Sequence, residues 1–138
     1  MLINCVVYQD GSKLADIPVS EISDYLARPG CFVWVALHEA TAAELAELQL
    51  EFDLHPLAVE DAQHGHQRPK VEEYADSLFA VMHLLEPDGL DQGELGVGEV
   101  DVFVGRNYVV SVRNRSEHGF VEVRQRCERE PDLLRQGP

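Results

Sequence analysis

Apolar positions alternate with polar ones, or run together, in short blocks along most of this chain, and each block ends at a turn signal. Met1 to Tyr8 (MLINCVVY) is rich in β-branched residues and stops at Gln9-Asp10-Gly11-Ser12, which predicts a strand and then a turn. The period then changes. Ser20 can cap a short helix reaching about Ala27, with Ile22, Tyr25 and Leu26 on one face, and Arg28-Pro29-Gly30 ends it. Phe32 to Leu37 is apolar on both faces and holds the single tryptophan, Trp34, so it predicts a central strand. Thr41-Ala-Ala-Glu44 is a capping box, and the helix it opens places Leu45, Leu48 and Phe52 at helical spacing.

A second helix follows. Proline at the first helical position loses no hydrogen bond and pre-sets φ, so His55-Pro56 predicts a helix entry, with His55 as its cap and Leu57, Ala58 and Val59 as a small apolar face. Arg68 precedes Pro69 and is pushed towards extended backbone, which leads into a short strand from Val71 to Tyr74. Asp76-Ser77 turns into a strand from Leu78 to Leu85. Glu86 to Glu94 is polar and glycine-containing, and predicts a loop with a mobile tip. Leu95 to Val104 resumes a strand, where Gly96 and Gly98 imply a bulge or a close backbone approach. Gly105-Arg106-Asn107 turns the chain into Tyr108 to Val112. Glu117 to Glu130 predicts a last helix with Phe120, Val123 and Cys127 on one side, and the end from Pro131 is expected to fray. Helices before and after strands, with a closing meander, imply an α/β (α+β-like) domain built on a mixed sheet with helices on both faces.

Composition narrows the function. At 138 residues the chain is one domain, able to bury about two-thirds of its unfolded surface. Acids outnumber bases 25 to 11, a formal charge of -14. That balance argues against a phosphate-binding nucleic-acid surface and against adsorption to anionic lipid, and favours cationic partners such as divalent metals. Cys5, Cys31 and Cys127 lack paired spacing and read as free thiols of a reducing compartment. The longest apolar run, CFVWVAL at 31–37, falls far short of the roughly 18–20 residues needed to cross a bilayer. Gln9, Asp10 and Lys13 interrupt the apolar start, against a signal peptide. No nucleophile elbow, Walker loop or dinucleotide fingerprint is present in the sequence, so the expectation is a non-enzyme.

The segment with the most chemistry is HPLAVEDAQHGHQRPKVEEY, His55 to Tyr74. Glu60 and Asp61 fall near a helix C-terminus, where they repel each other and the helix dipole, and a cation would relieve both. From the residues alone, the pair reads as a solvated face joined to Lys70 or Arg68. His64 and His66 form a His-x-His that could hold Zn²⁺ with the acids, or simply be loop histidines. His83, within an apolar strand, reads as a core or sheet-face group. Glu86, Asp88, Asp91 and Glu94 lack calcium-loop spacing and read as a solvated hairpin loop.

HPLAVED, then HQRPKVEEY, the strand SLFAVMHLL and the unit GEVDVFVGRNYVVSVRN together resemble the cytoplasmic N-terminal domain of the CorA family of divalent metal-ion transporters. The resemblance spans most of the chain and is weakest over residues 1 to about 30. It implies an αβα sandwich over residues 1–138, lying on the cytoplasmic side of the cell membrane, with the stalk and membrane helices of the family absent from this sequence. It further implies that Glu60 and Asp61 form half of an inter-subunit regulatory site for Mg²⁺, Co²⁺ or a related divalent ion. The partners would be the protein's own stalk and transmembrane helices and other copies in a homo-oligomer, a pentamer in the family. A freestanding cytosolic metal-binding or interaction module, or the equivalent domain of a zinc-transporting relative, is the alternative.

Overall fold

The computed structural model describes residues 1–86 and 96–138; the loop expected over Glu86–Glu94 lies outside them apart from Glu86. Seven strands form one sheet: β1 (Leu2–Gln9), β2 (Ser12–Asp16), β3 (Cys31–His38), β4 (Lys70–Tyr74), β5 (Ser77–Glu86), β6 (Gly96–Val104) and β7 (Tyr108–Asn114). Their order across the sheet is β2-β1-β3-β7-β6-β5-β4. Every neighbouring pair is antiparallel except β3–β7, which is parallel, so the sheet is mixed as expected.

The helices α1 (Ile22–Leu26), α2 (Ala42–Phe52) and α3 (Pro56–His64) cover one face. Between them and the sheet lies the main core, in which Ile22, Val33, Val35, Leu45, Leu48, Val110 and Val112 are sealed from water. Fully burying such a side chain is worth about 1.5–3 kcal/mol. The capping box forms as expected, with Thr41 accepting from the Glu44 amide and Glu44 accepting from the Thr41 amide at 2.8 Å. The helices α4 (Val121–Arg129) and α5 (Pro131–Arg135) lie on the opposite face, over β1 and β3, where Val6, Tyr8, Phe32 and Leu134 form a smaller core. Tyr8 Oη donates to Glu128 at 2.8 Å and ties α4 to β1. The result is the αβα sandwich, with its second layer only over part of the sheet: Leu78 and Met82 of β5, on that same face, stay 43% and 47% exposed.

Several details differ from the sequence reading. Asp10-Gly11, both at positive φ, form a two-residue turn that folds Ser12–Asp16 back as an extra edge strand. Ser20 caps nothing; a 3-10 turn over Val19–Glu21 leads into α1 without a side-chain cap. The last helix begins at Val121 rather than Glu117, and Val123 is half exposed. Pro131 does not fray but starts α5, because its fixed φ suits a first helical position, and this seats Leu134 against the sheet. Gly98 marks a close approach and no bulge: the β5–β6 register is regular, and a Cβ there would meet Ser116 Cβ at 2.7 Å. Cys5 and Cys31 are buried free thiols. No helix among the described residues is long and apolar enough to cross a membrane.

Candidate functional site

The His55–Tyr74 segment forms α3 and the edge strand β4, and its unusual residues face one another. His55 caps α3, its Nδ1 accepting from the Leu57 amide at 3.2 Å. Ala58, Val59 and Ala62 are buried, whereas Leu57 points to solvent, so the apolar face follows i, i+1, i+4 spacing instead of a consecutive run. Gly65 ends the helix at positive φ, its amide returning to the Asp61 carbonyl at 2.9 Å. Pro69 sends the chain into β4, where period-two alternation puts Lys70, Glu72 and Tyr74 on the face beneath α3.

A polar chain links the two elements. Lys70 Nζ donates to Asp61 at 2.6 Å and to Glu72 at 3.0 Å. Tyr74 Oη donates to the other Glu72 oxygen at 2.5 Å, and the Tyr74 ring stacks on His55, centroids 4.0 Å apart and 16° from parallel. The bonds to Asp61 and then Glu72 raise the Lys70 pKa, while those from Tyr74 and then Lys70 hold the Glu72 carboxyl below its usual range. Asp61 is therefore half-buried and anchored by one oxygen, Oδ2. Glu60, one residue earlier, is exposed, and no hydrogen bond or ion pair engages its carboxylate among the described residues.

The histidines do not join this pair. His64 is exposed and turns Nδ1 onto the Glu60 carbonyl, 2.9 Å away within its own helix. His66 is exposed at positive φ in the connection that follows. Among the described residues, no three His, Cys, Asp or Glu side chains are grouped to hold a metal ion. His83 lies on the sheet face, its Nε2 2.9 Å from the Gln67 carbonyl.

The structure adds a second acid pair that the sequence reading passed over. Glu99 and Asp101 point from β6 into the α3 side of the sheet, and both are fully buried. Glu99 Oε2 accepts from the Gln67 amide at 3.1 Å and from Arg115 Nη2 at 3.2 Å. Asp101 Oδ2 accepts from Asn114 Nδ2 at 3.2 Å, and Asn114 also reaches the Ala62 carbonyl at the end of α3, 3.5 Å away. Burial first, then the charges of Glu99 and Asp61, push the Asp101 carboxyl up to about 7. The alternation Glu99-Val100-Asp101-Val102-Phe103 carried the signal: the acids share a face with Phe103, a core residue. A third carboxylate, Glu86, is buried where Ser116 Oγ and His118 Nδ1 both bond to it, and these bonds lower its pKa.

Comparison with known proteins places these elements in a family context. Residues 30–137 match the family model of the "CorA-like Mg2+ transporter protein". The chain is 33% identical over 126 residues to the putative metal ion transporter YfjQ of Bacillus subtilis (strain 168), covering 91% of this chain and 37% of YfjQ. Among solved structures, full-length CmaX superposes with a TM-score of 0.71 at 19% identity over 99% of this chain and 40% of CmaX. The soluble domain of CorA from Methanocaldococcus jannaschii gives 0.57 at 16% identity, over 99% of this chain and 52% of that one. The likeness to both structures shows the fold. The chain spans about two-fifths of the length of YfjQ and of CmaX.

Proposed function

Because this chain belongs to the CorA-like Mg²⁺ transporter family, we propose that it is the cytoplasmic, metal-sensing domain of a divalent-cation transporter rather than an enzyme. The observation that carries this reading is the asymmetry of the α3 acids. Glu60 is exposed and unengaged, and Asp61 beside it is held by Lys70 through Oδ2 alone. Two such carboxylates are half of a hard-cation site. Mg²⁺ keeps several waters and is bound through one or two carboxylates, so Glu60 together with a carboxylate of a second copy would complete the coordination.

Metal bound between adjacent copies would screen the acids and favour a closed assembly. Loss of metal would let like charges separate the copies and favour the open one, a population shift set by the different metal affinities of two states. The strongly acidic composition suits that repulsion. The assembly would be a homo-oligomer, a pentamer on family resemblance, joined to its own stalk and membrane helices. Mg²⁺ or Co²⁺ would be the regulatory ion, and the isolated domain, with half a site, would bind it weakly.

The test is limited proteolysis of the full-length protein. Millimolar Mg²⁺ should protect the wild type, and replacing Glu60 and Asp61 together by Ala should abolish that protection. Protection that survives the double substitution would remove α3 from the sensing role. Light scattering of the 138-residue chain with and without Mg²⁺, Co²⁺ or Zn²⁺ would show whether metal brings copies together without the rest of the protein.

A further inference from the structure

Glu99 and Asp101 stand two residues apart on β6, beneath α3 and the connection that leaves it, and neither has measurable solvent exposure. One oxygen of each is answered: Glu99 Oε2 by Gln67 and Arg115, Asp101 Oδ2 by Asn114. The other two, Glu99 Oε1 and Asp101 Oδ1, are buried with no donor. Two ionised carboxylates side by side away from water, each with an unanswered oxygen, carry a large desolvation and repulsion cost. A proton between them removes it. The protonated carboxyl donates, the carboxylate accepts, and both orphan atoms are satisfied at once.

Charge counting leads to the same place. The charged and titratable groups around the pair are Asp61 from α3 with Lys70 and Glu72 of β4 bonded to it in turn, His83 from β5, and Arg115 just after β7. Asp61, Glu72, Glu99 and Asp101 set four carboxylates against the Lys70 and Arg115 cations, an excess of negative charge that uptake of a proton reduces. We infer that Glu99 and Asp101 hold a single proton between them, and that this carboxyl–carboxylate pair is a pH-dependent latch pinning the α3–β4 connection to the sheet. The pinning is direct. The Gln67 amide bonds to Glu99, and Gly65 packs beside the pair, a Cβ there falling in ordinary contact at 3.6 Å from Glu99 Oε1 and 3.9 Å from Asn114 Nδ2. The raised Asp101 pKa agrees, since the proton leaves near neutrality and not near pH 4. Once it has gone, the pair holds two charges against Arg115 alone, since Lys70 serves Asp61 and Glu72, and the 65–69 connection loosens. Glu99 and Asp101 lie outside the α3 half-site, but the Asp61 charge acts on them, so the latch is tested with metal absent.

The experiment is a carboxyl carbon NMR titration of the 138-residue chain without metal, run alongside amide hydrogen exchange. Asp101 should titrate near 7, against its ordinary value of 3.8. Gln67 should exchange about tenfold faster, beyond the intrinsic base-catalysed rise, for each unit of pH gained between 3.8 and 7, with the excess levelling off above 7. Asp101→Asn, neutral and still a donor, should remove this excess, and Glu99→Gln should lower the Asp101 titration. Asp101 titrating below 5, or Asp101→Asn keeping the wild-type pH dependence at Gln67, would overturn the inference. Should Asp101→Asn not fold, the wild-type titration decides alone.

Discussion

Two pairs of carboxylates lie at different depths around α3, and they meet like-charge repulsion in different ways. Glu60 and Asp61 stand at the outer rim of α3, where water screens them and Lys70 takes one oxygen of Asp61. Glu99 and Asp101 lie under the same helix with no water, held by Arg115, Asn114 and the Gln67 amide. The outer pair can wait for an external cation because solvent tolerates its charge. The inner pair has to be neutralised from within the fold. Position relative to the sheet, and not residue type, separates a site that is free to recognise something from one that holds the chain together.

The contrast is sharpest in how stability follows pH. Asp101 is raised from 3.8 to about 7, so its full contribution is present below pH 3.8 and is lost as the pH rises through 7. The complete window is worth on the order of 4 kcal/mol. Glu44 works in the opposite sense. Its carboxyl is depressed from 4.5 to about 2, first by the Thr41 amide, so its contribution is present above 4.5 and lost as the pH falls through 2. Urea midpoints measured from pH 3 to 9 should therefore trace a dome that declines on the alkaline side while every surface acid stays ionised. A flat curve from pH 5 to 9 would erase the difference between the pairs.

Next in size is deletion of one inner acid. Glu99→Ala leaves the Gln67 amide without its acceptor and should cost about 2 kcal/mol in urea unfolding at pH 6, the scale for an unsatisfied buried donor, since Arg115 can turn to water. Lys70→Met acts on the outer pair and should cost less than about 1 kcal/mol, because the ion pair is partly exposed. If Asp61 holds the ion as proposed, this variant should also tighten Mg²⁺ binding in the full-length protein, measured by calorimetry, because Lys70 would compete with the metal for Asp61. Weaker binding in that variant would mean that Lys70 orients Asp61 for the ion. Smallest of all, Glu60→Ala should leave the urea midpoint unchanged while weakening Mg²⁺-dependent protease protection.

Where the alternation of apolar and polar residues had one plausible partner layer, it was enough to locate elements. The strand around Trp34, the capping box at Thr41–Glu44, the His55-Pro56 helix entry and the Pro69 exit all stand where local chemistry put them, because caps, prolines and β-branched runs act within a few residues. The motif around Glu60 and Asp61 was legible for the same reason. The extra strand Ser12–Asp16 and the helix Pro131–Arg135 were not: the first forms by pairing with β1, and the second earns its place only by seating Leu134 on Tyr8 and Phe32.

The chain by itself determined an acidic α/β domain, the order of its helices and strands apart from Ser12–Asp16 and Pro131–Arg135, and a family pattern centred on HPLAVED and QRPKVEEY, since these depend on local sequence and its spacing. Only the tertiary structure decided which acids face water. Alternation in Glu99-Val100-Asp101 shows that the acids and the valines point opposite ways, but not which way is in. That follows from β6 lying between β5 and β7 with α3 above it, an arrangement set by contacts far apart in sequence. Likewise, Lys70 reaches Asp61 because β4 sits at the sheet edge under α3, and nine residues of separation do not specify that geometry.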